Sequence, residues 1–253
     1  MGSSRPESVS SHQPIFMTSR TEEVRRLFDL KAPTWGAKYH AQGALAIRTL
    51  RFGMAVAEHR PPPADLLDYG CGSGDIARAL AGVGYSVTGC DISPGMIRMA
   101  QEAGGESSAT INWIRLDATD ARLPFADRSF DVIIASSVFE YLSNSLTSLR
   151  ELRRVLRDDG FLICTVPNVT HRMRRLEAVL QYAATRPAER VTRRLSKRLS
   201  NYISYLRLSR NRLHVADWER LAREAGFAGV AGDRSSGNGE SLLMLRLTPS
   251  RTS

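Results

Sequence analysis

Long apolar runs and paired cysteines are both missing from this 253-residue chain. No segment approaches the ~18 consecutive apolar residues that a membrane-spanning helix needs. Residues 1–20 are polar and lack the apolar centre of a secretory signal, which favours a cytoplasmic protein. Cys71, Cys90 and Cys164 form an odd set without metal-ligand spacing. We therefore expect no metal site and no disulfide framework, and we interpret the cysteines as reduced core or loop residues.

The sequence also lacks the usual phosphate-binding signatures. Three glycines, Gly70, Gly72 and Gly74, are spaced G-x-G-x-G, whereas a dinucleotide site has G-x-G-x-x-G. Asp75 stands where the third glycine of that fingerprint would lie, and no G-K-[ST] follows. This spacing excludes a P-loop and disfavours a ligand that presents two phosphates to the loop.

The glycines nevertheless lie in a nucleoside-binding context. The segment 66–75 reads as a strand, a tight turn and a helix start, and Asp91 follows Gly70 by 21 residues at the end of a second apolar strand. A carboxylate at that place accepts hydrogen bonds from ribose hydroxyls. With Asp68 and Asp75 bracketing the loop, a ligand that carries an ammonium and a sulfonium fits well. An ordinary glycine-rich turn remains the alternative.

Alternating apolar strands and amphipathic helices predict an α/β fold with a doubly wound, mostly parallel sheet. We predict a disordered tail over 1–20, two helices over 21–59, a core over 60–170 and 215–247, and a short tail over 248–253. The first helix should bury Val24, Leu27, Phe28 and Leu30 on one face. The predicted core elements are 65–69, 74–83, 85–90, 94–103, 111–115, 131–135, 145–157, 160–166, 216–225, 227–233 and 241–247.

Several segments together resemble class I S-adenosylmethionine-dependent methyltransferases, most closely the small-molecule enzymes of ubiquinone and menaquinone biosynthesis (methyltransferase type 11). The glycine loop 68–74 resembles motif I of that family. Later segments match in order and spacing: 89–96, 116–118, 123–125, 129–136 and 152–161. The match covers about 60–170 well and 214–247 loosely. It implies a Rossmann-like sheet with an antiparallel last strand, and it says little about the substrate.

The resemblance implies S-adenosyl-L-methionine as the cofactor. Asp91 is expected at the ribose, Asp117 at the adenine amino group, and Ala118 is expected to offer a backbone N–H. The cofactor-binding residues that the resemblance implies are Asp68, Gly70, Cys71, Gly72, Gly74, Asp91, Ile92, Met96, Asp117, Ala118 and Ser136. Trp35 and Tyr39 resemble the N-terminal aromatic segment that closes over the cofactor, although packing of the N-terminal helices explains them equally well.

Catalytic residues leave a weaker trace, because methyl transfer needs a general base only when the nucleophile must lose a proton. Relatives often have a Glu-His pair where this chain has Glu140 and Tyr141, so an imidazole base is missing there. Tyr141 and His171 are the candidate catalytic residues. His214 is a second candidate base, since it ends the insertion that His171 begins; either histidine could instead be a plain loop or cap residue.

The insertion, residues 171–214, is strongly basic. It carries 12 arginines and lysines against Glu177 and Glu189, whereas the formal charge of the whole chain is +9. Apolar residues recur at helical spacing, which predicts amphipathic basic helices. The two stripes comprise Met173, Leu176, Val179 and Leu180, and then Val191, Leu195, Leu199, Tyr202 and Leu206. We expect either a structural cap whose apolar face packs on the core, or a lid that attracts an anionic partner.

Three functions remain open from the sequence. The first is methyl transfer to a small or lipid-like, anionic metabolite, with an acidic carrier protein or an anionic membrane surface as partner. The second is an RNA or protein methyltransferase that grips its polymer with the insertion. This alternative is less favoured because the strand-four end lacks a [DN]-P-P-[YFW] signature. The third is a non-catalytic, cofactor-binding regulator. The sequence leaves the acceptor atom and the oligomeric state open.

Overall fold

A computed structural model gives the architecture of the chain and describes residues 19–35, 43–104, 110–118, 122–232 and 240–250. Helices and strands alternate over the core, and three further helices lie in the insertion. The helices are α1 (Arg20–Lys31), α2 (Ala44–His59), α3 (Asp75–Gly82), α4 (Pro94–Glu102), α5 (Ser145–Val155), α6 (Arg172–Leu180), α7 (Arg186–Leu195), α8 (Lys197–Leu208) and α9 (Val215–Glu224).

The strands form a seven-stranded sheet with the order β3-β2-β1-β4-β5-β7-β6. The strands from β1 to β5 pair in parallel, whereas β7 pairs antiparallel with both β5 and β6. The order reverses between β1 and β4, the switch point at which ligands bind in open α/β sheets. The strands are β1 (Asp65–Tyr69), β2 (Ser86–Asp91), β3 (Asn112–Arg115), β4 (Phe130–Ala135), β5 (Leu156–Pro167), β6 (Phe227–Gly232) and β7 (Leu242–Pro249).

The sheet separates two hydrophobic layers, because its central strands are apolar on both faces. Leu67 and Ile133 point to one layer, which α5 and α9 complete with Leu152 and Trp218. The residues that alternate with these along the strands, such as Leu66, point to the other layer and pack against α2 and α3. The two layers fix β1 and β4 side by side, so the loops that follow these strands meet at one edge.

The fold confirms the predicted Rossmann-like sheet with its antiparallel last strand. The predicted core elements are present within about two residues, except that β5 begins at Leu156, four residues before the predicted start. Arg20, assigned to the tail, begins α1, and Ser19 caps it by accepting a hydrogen bond from the Glu22 amide at 3.2 Å. Leu30 is 74% exposed, so its prediction as part of the buried face is wrong. Residue 30 lies one helical turn beyond the contact made by Val24 and Leu27. The rest of the predicted tail and Tyr39 lie outside the described residues.

The insertion is helical, but most of its apolar side chains face solvent and several of its arginines face the body, which is the reverse of a structural cap. Of its predicted apolar stripes, only Leu206 is buried, whereas Val179 is 68% and Leu195 is 76% exposed. Conversely, Arg207 and Arg212 are nearly buried in ion pairs with carboxylates. The expectation of an apolar face packed on the core beneath solvated arginines is therefore wrong for most of the insertion. Charged residues, together with the buried Leu206 and Leu208, make the contacts that attach it to the body.

Candidate active site

The turn after β1 places glycine backbone, which carries no side chain, at the carboxyl edge of the sheet. Gly70 has φ +74°, and a Cβ there would lie 2.4 Å from Cγ2 of Val138, so both the conformation and the contact require glycine. Gly72 has φ +54°, and a Cβ there would meet nothing within 4 Å. The space beside Gly72 therefore lets a ligand approach the backbone closely, and Gly72 lines the cavity described below.

Asp91 closes this turn from the end of β2. Its Oδ2 accepts the Gly72 amide at 3.0 Å, and its Oδ1 accepts the Ser93 amide at 2.8 Å. Burial raises the pKa of Asp91 to about 6, although these amides oppose that shift. A carboxylate has about four acceptor sites, so Asp91 retains capacity for ribose hydroxyls. Its neighbour Ile92 begins the loop that leads into α4.

Asp68 is a buried carboxyl group without a described partner. It is 1% exposed, and neither oxygen has a hydrogen-bond partner among the residues that the structure describes. Burial, reinforced by Asp91, raises the pKa of Asp68 to about 8. Buried polar atoms are nearly always hydrogen-bonded, and an unpaired one therefore indicates a missing partner. The Ala77 amide opposes the rise in the pKa of Asp68.

The loop after β3 is held in place by two charged side chains of α5. Arg154 donates to the carbonyls of Leu123 and Phe125 at 3.1 and 2.9 Å, and Glu151 accepts the Leu123 amide at 3.0 Å. Asp117 and Ala118 open this loop and face the same cavity as Asp91. The α5 contacts thus fix the far side of the site through its backbone.

The end of β4 supplies Ser136, Glu140 and Tyr141. Ser136 Oγ is buried and has no hydrogen-bond partner within the described part of the chain. Tyr141 packs edge-on against Phe28 of α1, with ring centroids 5.1 Å apart. Glu140 is 4% exposed and accepts a hydrogen bond from Ser209 Oγ at 2.6 Å. Burial raises the pKa of Glu140, against the opposing effect of Arg174 and Ser209.

A charged network from the insertion lies directly behind Glu140. Arg174 and Arg212 contact the Glu177 carboxylate at 3.0 and 2.7 Å. Tyr205 lies between them and contacts both Glu177, at 3.1 Å, and Arg174. Burial raises the pKa of Glu177, but Arg212 and Arg174 outweigh it and leave the pKa below its ordinary value. Burial also raises the pKa of Tyr205 to about 12, so the phenol stays neutral.

One cavity of about 1980 Å³ joins these parts. Typical ligand pockets measure about 300–1,000 Å³, so this cavity has room for a cofactor and a second molecule. Most of the predicted site residues line it: Trp35, Gly70, Gly72, Asp91, Ile92, Met96, Asp117, Ala118, Ser136, Tyr141 and His171. Asp68, Cys71, Gly74 and His214 are not part of its lining. Asp68 lies under the turn, and His214 lies at the start of α9 without a side-chain cap contact.

Several lining residues were missed in the sequence. Phe28 was assigned only to a helix face, and Arg174, Tyr202 and Tyr205 were not singled out as site residues. Phe28, Tyr141, Tyr205 and Tyr202 form a chain of ring contacts along the cavity, with centroid distances of 5.1, 6.5 and 6.0 Å. The i, i+3 spacing of Tyr202 and Tyr205 was the available signal. The spacing places both tyrosines on one face of a helix, but tertiary packing decides whether that face points toward the cavity.

The loops around the cavity have an arrangement that is typical of cofactor-binding α/β enzymes. A glycine turn after β1, an acidic residue ending β2 and an acidic loop after β3 surround one cavity at the switch point of the sheet. This arrangement holds a nucleoside-containing cofactor. The open space at Gly72 gives a ligand access to the backbone of the turn, and the residues that line the cavity suit S-adenosylmethionine.

Comparison with known proteins agrees with this class. The family model described as methyltransferase domain matches residues 67–164. The chain is 26% identical over 219 residues to a ubiquinone biosynthesis O-methyltransferase of Xanthomonas campestris, covering 86% of this chain and 83% of that protein. A protein of the same name from Cereibacter sphaeroides is 34% identical over 103 residues, which is 41% of each chain.

Solved structures show the same fold. A Thermotoga maritima protein, described as an S-adenosylmethionine-dependent methyltransferase and possible histamine N-methyltransferase, has a TM-score of 0.60 and 17% identity. The match covers 89% of this chain and 99% of that one. The chain is therefore similar to class I S-adenosylmethionine-dependent methyltransferases, among them the small-molecule enzymes named ubiquinone biosynthesis O-methyltransferases. None of the helices in the described ranges has both the length and the apolar character that a membrane span requires.

Proposed function

We propose that this enzyme transfers a methyl group to a small or lipid-like metabolite that carries an anionic group. The observation that best supports this proposal is one continuous cavity, which extends from the predicted cofactor residues to the insertion. Lys197 and Arg198 line its insertion end, and their side chains make no hydrogen bond or ion pair with any described residue. Unpaired cations at the wall of a cavity favour an anionic ligand group.

The acceptor end of the cavity combines apolar surface with a few polar groups. Phe28, Tyr141, Tyr202 and Tyr205 form a largely aromatic wall, and Met173 adds to it. Pockets for small molecules have this composition, in which apolar walls bind the body of a ligand and sparse polar groups orient it. The relatives named ubiquinone biosynthesis O-methyltransferases support a small-molecule acceptor and an oxygen atom as the methylated site.

The cofactor, when bound, supplies an electrophilic methyl group on a sulfonium. Asp91 and the amides of the glycine turn are proposed to hold the nucleoside, and Asp117 with Ala118 to hold the adenine. The remaining task of the chain is to align the acceptor and exclude water, an orientation effect that can contribute about 7–11 kcal/mol. The aromatic wall and the insertion serve this task.

We propose His171 as the general base that takes the proton from the methyl-accepting atom of the substrate. It lines the cavity, and its Nδ1 is buried with no hydrogen-bond partner in the described part of the chain. An imidazole is the side chain best suited to proton transfer near neutral pH. Tyr141 is proposed to shape the acceptor pocket, since its ring already packs against Phe28 and Tyr205.

The decisive experiment is turnover with methyl-labelled cofactor on a fractionated cell extract, followed by mass identification of the product. We expect label in a small, acidic, low-molecular-weight or lipid fraction. Label in RNA or protein would contradict the proposal and favour the polymer alternative. Cofactor binding without turnover in any fraction would favour the non-catalytic regulator.

The structure gives the polymer alternative less support than the charge count suggested. Several insertion cations are already engaged in ion pairs with carboxylates of this chain, among them Arg174, Arg186, Arg207 and Arg212. Their carboxylate partners already offset part of the positive charge that a polymer phosphate would meet. The insertion cations whose side chains have neither a hydrogen bond nor an ion pair within the described residues are Arg172, Arg175, Arg190, Arg194, Lys197 and Arg198.

A peripheral place at an anionic membrane surface is part of this proposal. Six cations of the insertion are unpaired within the described chain, and exposed apolar side chains lie on the same three helices. Basic helices with exposed apolar residues bind in the headgroup region of anionic bilayers. An acidic carrier protein would meet the same charges, and the vesicle experiment argued in the Discussion distinguishes the two.

A further inference from the structure

The helix α1 contacts both the cofactor loop and the insertion. Its buried residues Val24 and Leu27 belong to a small apolar cluster with Leu208 of the insertion. Ile92, which follows the ribose-side carboxylate Asp91, and Tyr141 pack against the same cluster. A single helix therefore lies between the cofactor end and the acceptor end of the cavity.

Asp29 attaches α1 to the cofactor side. Its Oδ1 accepts hydrogen bonds from Ser93 Oγ at 2.6 Å and from the Gly95 amide at 3.0 Å. The Ser93 amide in turn donates to Asp91 Oδ1 at 2.8 Å. The contact is tight, because a Cβ at Gly95 would lie 3.1 Å from Ala32 Cβ and 3.2 Å from Asp29 Oδ1. The position of Asp29 thus depends on the loop that carries Asp91.

Glu23 attaches the same helix to the insertion. Its two carboxylate oxygens pair with Arg186 of α7 and Arg207 of α8. The Glu23 carboxylate on α1 therefore joins two insertion helices. These two helices also contact each other, since Arg207 pairs with Glu189 of α7 at 3.0 Å. Burial raises the pKa of Glu23, but Arg207 and Arg186 outweigh it and keep the pKa below its ordinary value. The carboxylate is therefore charged at neutral pH.

We propose that α1 links the two halves of the site, with Asp29 positioning the Asp91 loop and Glu23 transmitting cofactor occupancy to the insertion. A cofactor that fixes Asp91 and Ser93 also fixes Asp29, and with it the register of α1 against α7 and α8. The insertion then closes over the acceptor end only after the cofactor is in place. The inference rests on the proposed lid role of the insertion and adds the element that controls it.

Hydrogen exchange on the full chain, with and without S-adenosylhomocysteine, tests this link. In the wild type we expect the ligand to slow exchange both in 86–102 and in the insertion. In Glu23→Gln, protection of 86–102 should persist while most of the added protection in the insertion is lost. Glu22→Gln is the matched control, because Glu22 pairs only with Arg25 and Arg26 of α1 among the described residues, and Arg25 keeps its separate pair with Asp29. It should behave like the wild type.

Asp29 gives a second, independent readout. Asp29→Ala should weaken S-adenosylhomocysteine about five- to tenfold in a calorimetric titration, since two loop contacts are lost. Asp29→Asn keeps an acceptor oxygen and should restore most of that affinity. Equal ligand-induced protection of the insertion in Glu23→Gln and the wild type overturns the link, as does an insertion that never responds to bound ligand. Absence of ligand binding in the titration would instead contradict the proposed function.

Discussion

At the scale of single residues, two carboxyl groups near one glycine turn lie in different surroundings. Asp91 is held by two backbone amides and faces the cavity, whereas Asp68 is buried under the turn with no described partner. Their shifted pKa values have one main physical cause, which is burial. Both residues were predicted as cofactor-binding residues from the sequence, and of the two only Asp91 lines the cavity.

Replacing Asp91 tests the ribose contact. Asp91→Ala should weaken S-adenosylmethionine and S-adenosylhomocysteine together by more than about tenfold, because a hydrogen bond to a charged group contributes about 1.5–3 kcal/mol. Calorimetric titration of both ligands measures this loss. Asp117→Ala is the comparison and should lose less affinity. Binding of NAD by the wild type, with no response to S-adenosylmethionine, would contradict the cofactor assignment.

Asp68 predicts an unusual dependence of stability on pH. The ordinary pKa of aspartate is about 3.9, whereas burial raises that of folded Asp68 to about 8. The folded state therefore binds more protons than the unfolded state between these values. The contribution to stability is complete below about pH 4 and is lost as pH rises toward 8. Denaturation of the cofactor-free protein from about pH 5 to about pH 8 should show this decline, and Asp68→Asn should reduce it to the smaller part that Asp91 contributes, since burial raises the pKa of Asp91 to about 6. Equal slopes in both proteins would contradict the burial argument.

At the scale of elements, the sequence predicted what depends on local periodicity. Leu66 and Leu67 mark a strand that is buried on both faces, and the glycine turn after it has a demanding backbone, so both are visible in the chain. The contacts of Glu23 and Asp29 were not predictable, because their partners in the cofactor loop and the insertion lie 64 to 184 residues away in sequence. Helical spacing in the insertion was correct, but it could not reveal which face meets the body.

The start of α8 gives a prediction at this scale. Lys197 and Arg198 line the cavity, whereas Arg193 and Arg194 on α7 do not. Once the extract experiment has identified the acceptor, Lys197→Gln with Arg198→Gln should raise its KM about tenfold at low salt and leave cofactor affinity unchanged. The effect should shrink as salt screens the charges beyond about 8–10 Å.

The matched control for that pair is Arg193→Gln with Arg194→Gln, which removes the same charge from outside the cavity. Steady-state kinetics without vesicles should leave its KM close to the wild-type value. Similar KM increases in both double variants would indicate general electrostatic attraction by the insertion. No increase in either would contradict an anionic subsite at Lys197 and Arg198.

At the scale of the whole molecule, the insertion turns its apolar side chains outward. Val179, Tyr182, Val191 and Leu195 are 68%, 90%, 60% and 76% exposed, and unpaired cations lie between them. The arginines that face inward hold the insertion to α1 and to Glu140. Large exposed apolar residues on a monomer usually mark an interaction surface. Their combination with positive charge favours an anionic bilayer, from which a lipid-like acceptor could reach the cavity.

Vesicle binding tests this arrangement of the whole enzyme. The wild type should cosediment with vesicles that contain anionic lipid and not with purely zwitterionic vesicles, since each cation near the surface contributes about 1 kcal/mol. Val191→Ser with Leu195→Ser should weaken binding at all salt concentrations, whereas Arg193→Gln with Arg194→Gln should weaken it mainly at low salt. Val83→Ser is the control, because Val83 is 63% exposed on the body of the molecule. Equal binding by all variants would exclude this face as the membrane contact. Binding to an acidic protein with no vesicle association would assign the same surface to a carrier.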